Sequence, residues 1–359
     1  MNEFLTLSRI AFRSLYELET VPETLSIAED CFGVARRNRV IGLWEDAFGH
    51  SLLGEKWRRC AYGQLLHSSR LTAEAGRVAA ALTNSVDGFR LVKGPALEAQ
   101  AWPRLGLRSF DDLDFRCAKN SLNALTRGLL KLGYQPEEME IQRRENLWHF
   151  GWGISFTHPA GFFVECNHRM FPPQYPWPDR LTRYTTDLWL PLMLDQSHVE
   201  CPVPALHLLL SCVHAVWHGW ERLGWLVDIA GLLTQHPRLF AEAENLAGPS
   251  PFLRRSLNVG CDVADQIFGP LPDLPQRNQK QDPLIDQALD LLMREEPDVS
   301  RKIQRKIHHH LMSRRESFFY TFCRLATPGD PDFKRWPLPV RLHGLYWALR
   351  PFRYLYRER

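Results

Sequence analysis

The segment DLDFRC (112–117) alternates polar and apolar side chains, which limits what the middle of the chain can fold into. Alternate side chains of a β-strand share a face. The pattern therefore predicts a strand whose apolar face packs on helices while Asp112 and Asp114 point together into a cleft. Two unpaired carboxylates this close repel each other and raise each other's pKa. A divalent cation such as Mg²⁺, which takes one or two protein carboxylates together with phosphate oxygens, offsets that penalty.

The periodicity around this strand divides the chain into three regions. Residues 1–85 repeat apolar side chains at three- and four-residue spacing, which is typical of helices. Strand and helix patterns alternate over 88–170, the part where we expect the strands. Helical patterns return from about residue 203. We predict an α+β fold with an N-terminal helical region (1–85), a core with a small mixed β-sheet and flanking helices (86–200) and a C-terminal helical region (201–359).

A second predicted strand supplies another acid. In GFFVECNH, Glu165 points away from Val164 and Cys166. If this strand lies beside residues 112–115, three carboxylates converge, as two-metal phosphoryl chemistry requires. The run LWHFGWGISFTH before it reads as a strand that carries His149, for which we favour a structural role. The turn Lys93-Gly94-Pro95 joins an earlier short strand, GFRLV, to a helix.

The run LVKGPALEAQAWPRLGLRSFDDLDFRC resembles the uncharacterised bacterial nucleotidyltransferase branch of the DNA polymerase beta-like superfamily. The later run HAVWHGWERLGWLVDIAGLL is similar to a helical segment of that branch. The turn departs from the superfamily's usual Gly-Gly or Gly-Ser, and the third-acid strand departs from acid-x-His-Trp. The resemblance covers roughly 85–235 and implies a nucleotidyltransferase-like sheet with Mg²⁺ and an NTP, ATP by preference, as ligands.

The resemblance also implies roles for particular residues. Asp112 and Asp114 would be metal ligands, and Glu165 would either bind a metal or act as the base for an acceptor hydroxyl. The Gly94 turn would let nucleotide phosphates approach the backbone. Lys93 and Arg108 are candidate triphosphate contacts. Their alternatives are a solvated strand end for Lys93 and an ion pair with Asp111 or Asp112 for Arg108.

His214 and His218 share a helix face, and Asp228 follows ten residues after His218. A zinc site of the HExxH type is excluded here because Ala215 follows the first histidine. One interpretation is structural, since the surrounding tryptophans and aliphatic residues form a core-facing stripe. The other, which the resemblance supports, is that this helix closes the cleft. His214, His218, Arg222 and Asp228 would then contact the nucleotide or the acceptor, or orient the catalytic strand.

The amino-acid composition limits the kinds of binding partner and the location that we expect for the protein. A net charge of +3 does not favour nucleic acid, and no apolar run is long enough for a membrane span or a signal peptide. Eight scattered cysteines without a CxxC pair suggest reduced thiols and a cytoplasmic protein. The basic stretch 301–315 and the basic, aromatic residues 341–359 could bind an acidic partner, RNA or lipid headgroups, or could simply be solvated helix faces.

The sequence thus predicts a metal-dependent enzyme that transfers NMP from an NTP to a hydroxyl-bearing acceptor and releases pyrophosphate. The acceptor would be a small molecule, a peptide or a protein. The main alternative is a catalytically inactive nucleotide-binding or regulatory protein on the same fold. A metal phosphohydrolase built on the histidines is a third reading.

Overall fold

The computed structural model describes residues 3–22, 25, 27, 31–181, 186–275, 282–294 and 300–355. It confirms the predicted α+β class, with one seven-stranded mixed sheet and helices before and after it. The chain forms two compact units, each built from three separate stretches. Unit 1 comprises 1–72, 94–111 and 202–313, and unit 2 comprises 73–93, 112–201 and 314–359.

Unit 1 is helical. Its helices are α1 (Glu3–Leu15), α2 (Cys31–Arg37), α3 (Ile41–Leu52), the first part of α4 (Glu55–Leu82), α5 (Pro95–Ala101), α8 (Pro204–Trp217), α9 (Leu223–Gln235), α10 (Leu239–Ala247), α11 (Pro251–Phe268), α12 (Pro283–Met293) and α13 (Arg301–Leu311). The division between the units falls inside α4, after Thr72.

The core of unit 1 is rich in aromatic side chains. The Trp44 and Trp57 rings stack with centroids 5.4 Å apart, and Phe12 lies 4.7 Å from Phe268. Buried aromatic rings contribute large apolar areas and favour such offset pairs. Ser8 Oγ, which is also buried, accepts a hydrogen bond from Trp44 Nε1. The polar end of the indole is therefore satisfied inside the core.

Unit 2 contains the sheet. Its strands are β1 (Arg90–Leu91), β2 (Leu113–Arg116), β3 (Gln135–Pro136), β4 (Gly153–Thr157), β5 (Phe163–Asn167), β6 (Trp189–Leu194) and β7 (Ser197–Pro202), in the order β3-β4-β5-β2-β1-β7-β6. Its helices are the rest of α4, α6 (Leu122–Lys131), α7 (Ile141–Phe150), α14 (Arg314–Ala326), α15 (Asp330–Arg335) and α16 (Leu345–Leu355).

The central strands of this sheet separate apolar and polar side chains onto opposite faces. The register places Leu91 beside Phe115, Leu113 beside Val164 and Phe115 beside Cys166. All of these side chains are buried. The alternating positions carry polar residues, and they pair Asp114 with Glu165 and Arg116 with Asn167. One face of the central strands is therefore apolar and buried, and the opposite face carries the charged and polar side chains.

Two parts of unit 2 differ from the sequence prediction. His149 lies in helix α7 rather than on a strand, because the strand β4 begins only at Gly153. Strands are also not confined to 88–170, since β6 and β7 form a hairpin at 189–202 and β7 pairs with β1 in parallel. That hairpin reads as a proline-interrupted run in the sequence. Among the helices that the structure describes, none is both long and apolar enough to cross a membrane.

Candidate active site

The centre of the candidate site is a pair of acids on the polar face of the sheet. Asp114 on β2 and Glu165 on β5 are register partners in parallel strands. Side chains at paired positions of adjacent strands point to the same face. Asp112 has the same parity as Asp114 and is partly exposed, whereas Asp114 is buried. The strands therefore place Asp114 and Glu165 on one face, and Asp112, directly before β2, lies near enough for its charge to act on Glu165.

The environment of Glu165 shows what this arrangement costs. Burial raises the pKa of Glu165 to about 7, and the negative charges of Asp114 and Asp112 act in the same direction. Lys93 and a hydrogen bond donated by the Asn167 amide counteract part of the increase in pKa. Since each charged carboxylate here disfavours its neighbour, the face is electrostatically suited to a cation.

Lys93 supplies some of that positive charge. Its Nζ lies 3.5 Å from Asp114 Oδ2, and its side chain is about one-third exposed. The backbone N–H of Val92 donates to the carbonyl of Asp114 at 2.9 Å, which continues the β1–β2 ladder to the residue before the lysine. Lys93 is thus an ion-pair partner of the acidic face rather than a fully solvated strand end.

Gly94 follows directly and begins helix α5. Its φ of 56° and ψ of −122° lie in a region that residues with a Cβ avoid. The turn therefore requires glycine at this position. Pro95 occupies the first turn of α5, where its missing N–H costs nothing.

The donor set of the acidic face fits a hard divalent cation, because carboxylate oxygens are what Mg²⁺ prefers. Within the described parts of the chain, however, no three His, Cys, Asp or Glu side chains lie close enough together to hold a metal ion. Mg²⁺ usually takes only one or two protein carboxylates and completes its shell with water and phosphate oxygens. The acidic pair is compatible with that mode and does not form an all-protein cage.

Arg108 and Asp228 form a buried ion pair within unit 1. Arg108 Nε and Nη2 donate to the two oxygens of Asp228 at 2.8 and 2.9 Å, and Trp102 Nε1 also donates to Asp228 at 2.8 Å. Such bidentate pairing fixes the guanidinium plane. Glu98 Oε1 accepts from the backbone N–H groups of Gly106 and Arg108 at 2.8 and 3.0 Å. Loop 102–108 is thereby tied to α5 and α9.

Comparison with models of known families identifies the family of this chain. The profile of a family described as "Uncharacterised nucleotidyltransferase" matches residues 47–269, well over half of the chain. The chain belongs to this nucleotidyltransferase family. The match spans β1, β2 and β5 together with Arg108 and Asp228.

Other comparisons add little to the family assignment. No curated protein matches the chain. A crystal structure of an antigenic nucleotidyltransferase-like protein from Paracoccidioides brasiliensis is 17% identical and covers 54% of this chain and 92% of that one. Its TM-score is 0.30, so no conclusion about this nucleotidyltransferase family member is drawn from it.

The structure shows ion-pair partners for Arg108 and for Asp111, two residues that the sequence alone leaves open as partners of each other. Arg108 forms its buried ion pair with Asp228. Asp111 instead forms an ion pair with Arg39, and His67 Nε2 lies 3.9 Å from its carboxylate. Asp111 is exposed, and the alternation of side chains puts it on the opposite side from Asp112 and Asp114.

The segment that carries His214, His218 and Asp228 forms two helices in this nucleotidyltransferase. α8 ends at Trp217, and α9 begins at Leu223. His214 and His218 pack on each other and on Trp225, with ring centroids 4.6 to 5.0 Å apart. Both histidines and Asp228 lie in unit 1, while Asp112, Asp114 and Glu165 lie in unit 2. A contact of His214, His218 or Asp228 with nucleotide stays a prediction.

Sequence reasoning missed two residues that shape the acidic pair. Asn167 donates a hydrogen bond to Glu165, and Gly153 lies opposite Asn167 on β4. A Cβ at Gly153 would lie 1.8 Å from Asn167 Oδ1, so only glycine leaves room for that side chain. The signal for Asn167 was present in the sequence, because it follows Glu165 with the two-residue spacing of one strand face.

Proposed function

We propose that the chain transfers a nucleoside monophosphate from an NTP, with ATP as the first candidate, to an acceptor hydroxyl and releases pyrophosphate. Membership of the nucleotidyltransferase family supports the reaction class. The observation that carries the proposal is the pairing of Asp114 with Glu165 on the polar face of the sheet.

The roles follow from position and charge. Asp112 and Asp114 would hold Mg²⁺, and Glu165 would either complete that set or accept the proton of the acceptor hydroxyl. Bound Mg²⁺ would neutralise charge on the phosphate oxygens and make the hydroxyl a better nucleophile. Lys93 is near enough to Asp114 to share in neutralising a triphosphate. Asn167 would hold Glu165 in its orientation through their hydrogen bond.

Gly94, Arg108, His214 and His218 remain proposed contacts of the nucleotide or acceptor, and the proposed role of Asp228 is refined. Asp228 already accepts hydrogen bonds from Arg108 and Trp102. We therefore propose that Asp228 acts by orienting Arg108 and not by touching the nucleotide itself.

The rival proposal is an inactive nucleotide-binding or regulatory protein on the same fold. The observation in its favour is that no three metal-ligating side chains cluster among the described residues. The two proposals share nucleotide binding and differ in turnover.

Labelled NTPs incubated with the purified protein, Mg²⁺ and cell extract test the proposal, with label transfer and pyrophosphate release as readouts. Asp112→Ala and Asp114→Ala should abolish both while circular dichroism shows a folded protein. Asp111→Ala is the matched control, because Asp111 is an acid of the same segment that lies off the shared strand face. Full turnover in either active-face variant would rule out the assignment. NTP binding without label transfer would favour the rival.

A further inference from the structure

A second cluster of charge, of the opposite sign, lies entirely within unit 1. An open pocket of about 610 Å³ is lined by five cationic side chains from α2, the α2–α3 turn, the start of α4 and the residue before α9: Arg36, Arg37, Arg39, Lys56 and Arg222. The described residues that line it include no aspartate or glutamate. Two nearby acids offset part of this charge: Asp111 forms an ion pair with Arg39, and the charge of Glu221 interacts with Arg37 and Arg222. The cations still outnumber these acids, and a bound anion would offset their remaining repulsion.

A buried asparagine connects the two segments that line the pocket. Asn38 is fully buried between Arg37 and Arg39, and its Oδ1 accepts from the N–H of Leu223 at 2.9 Å. Its carbonyl accepts from the N–H of Gly224 at 2.9 Å, and its Nδ2 donates to the carbonyl of Val34 at 3.0 Å. These bonds fix the turn that carries Arg37 and Arg39 against the segment that carries Arg222.

The backbone at this turn is also unusual. Arg39 has a φ of 60°, in the left-handed region that residues with a side chain seldom occupy. Its guanidinium forms an ion pair with Asp111. A non-glycine residue adopts this conformation only where the surrounding contacts hold it there.

Three of the cations are already oriented by other contacts. Arg37 donates to the carbonyls of Glu221 and Leu292 at 3.4 and 2.9 Å, and its Nε is buried without an acceptor among the described residues. Arg222 lies over the Trp225 ring at 5.4 Å. Burial lowers the pKa of Arg37, which means that its positive charge is poorly solvated there. Arg36 and Lys56 are exposed at the pocket and complete its lining.

We propose that this pocket binds a phosphate polyanion, such as the triphosphate of a nucleotide or the phosphate of a phosphorylated acceptor. Four guanidinium groups suit phosphate because each can donate two parallel hydrogen bonds to it. The number of cations matches a polyphosphate better than a single carboxylate. The volume is in the range of small-molecule sites, about 300–1,000 Å³. The site differs in residues from the acidic face and does not depend on the proposed transfer reaction.

Calorimetric titration of inorganic triphosphate into the full chain, with EDTA present so that Mg²⁺ plays no part, tests this. Arg36→Gln/Lys56→Gln should weaken binding at least about tenfold, since two charge-assisted contacts are lost. Arg59→Gln/Lys302→Gln removes the same charges from exposed helix positions outside the pocket and should bind as the wild type does. Both substituted positions of each variant are exposed, so the fold should survive, and circular dichroism checks it.

Two further arms identify the source of the phosphate. ATP that binds as tightly as triphosphate points to the nucleotide, whereas tighter binding of a sugar phosphate points to a phosphorylated acceptor. In either case the tightest ligand must lose affinity in Arg36→Gln/Lys56→Gln. If Arg59→Gln/Lys302→Gln weakened phosphate binding equally, the loss of affinity would come from the general surface charge, and the proposal would be overturned. Absence of binding to the wild type up to millimolar triphosphate and sugar phosphate would also overturn it. No turnover is measured, so failure here leaves the proposed reaction unaffected.

Discussion

Asp114 and Glu165 are direct neighbours across two parallel strands, and Lys93 Nζ lies 3.5 Å from the first of them. The backbone register forces this proximity, because both strands are anchored from the other face by buried Leu113, Phe115, Val164 and Cys166. The two acids therefore cannot relax apart without loss of core packing. This relationship makes the polar face of the sheet the strongest candidate for cation and nucleotide binding.

Asp114→Asn should remove the part of the stabilisation by ATP that depends on Mg²⁺, which is the difference between Mg²⁺-ATP and ATP with EDTA. A ligand at one hundred times its Kd stabilises the native state by about 2.7 kcal/mol, which is a shift of several degrees in Tm. Thermal unfolding with Mg²⁺-ATP and with ATP and EDTA measures this difference. Asp111→Asn, which changes an exposed acid off the shared strand face, should keep it. An unchanged difference in Asp114→Asn would place the Mg²⁺ elsewhere.

Asp228→Ala should destabilise unit 1 strongly. Loss of one partner leaves the Arg108 charge buried and uncompensated, which costs about 3–5 kcal/mol. Replacement of both by apolar residues, Arg108→Met/Asp228→Leu, should recover much of that loss, because no buried charge then remains. Urea unfolding of Arg108→Met, Asp228→Leu and the double variant measures the coupling. Purely additive effects would mean that the pair, although buried, contributes no interaction energy.

Gly153→Ala should cost stability and disturb Glu165. The new Cβ would lie 2.5 Å from the Cys166 carbonyl as well as on the Asn167 side chain, and overpacking of this kind costs about 1–3 kcal/mol. Gly63→Ala is the matched control. Gly63 lies inside α4, and no atom lies within 4 Å of the position that its Cβ would take, so alanine there should stabilise by about 0.5–1 kcal/mol. Urea midpoints of both variants should move in opposite directions.

Stability should fall between about pH 6.5 and pH 4 because of His308. Burial lowers the pKa of His308 to about 4, despite hydrogen bonds between its ring and the backbone of Val216 and Trp217. In that window the unfolded chain binds the proton more readily than the folded one, so stability is complete above pH 6.5 and is lost as the pH falls. One such group accounts for at most roughly 3 kcal/mol.

Denaturation at pH 4.5 and pH 7.5 measures this effect. His308→Asn should shrink the difference between the two pH values, although it lowers stability at both. His309→Gln, at an exposed neighbouring position, should leave the difference unchanged. An equal pH dependence in His308→Asn and wild type would show that other groups cause it.

Local patterns were sufficient for the β2 face and for the Lys93-Gly94-Pro95 turn. Alternation of side chains fixes which of Asp112, Leu113 and Asp114 share a face, and this depends only on strand geometry. The hairpin of β6 and β7 was missed because Pro191 interrupts its apolar run and its pairing is with distant strands. His149 was misplaced because helix and strand patterns overlap across 141–157, where only packing sets the boundary.

The sequence by itself determined the α+β class, the alternating faces of β2 and the family resemblance, and it predicted Glu165 as the third acid. Each of these rests on spacing within a short segment. Only the tertiary structure decided that Glu165 is the register partner of Asp114, that Arg108 is held by Asp228 and that five cations line one pocket. Those relationships join residues far apart in the chain. Strand register and helix packing select such partners, and no local periodicity encodes them.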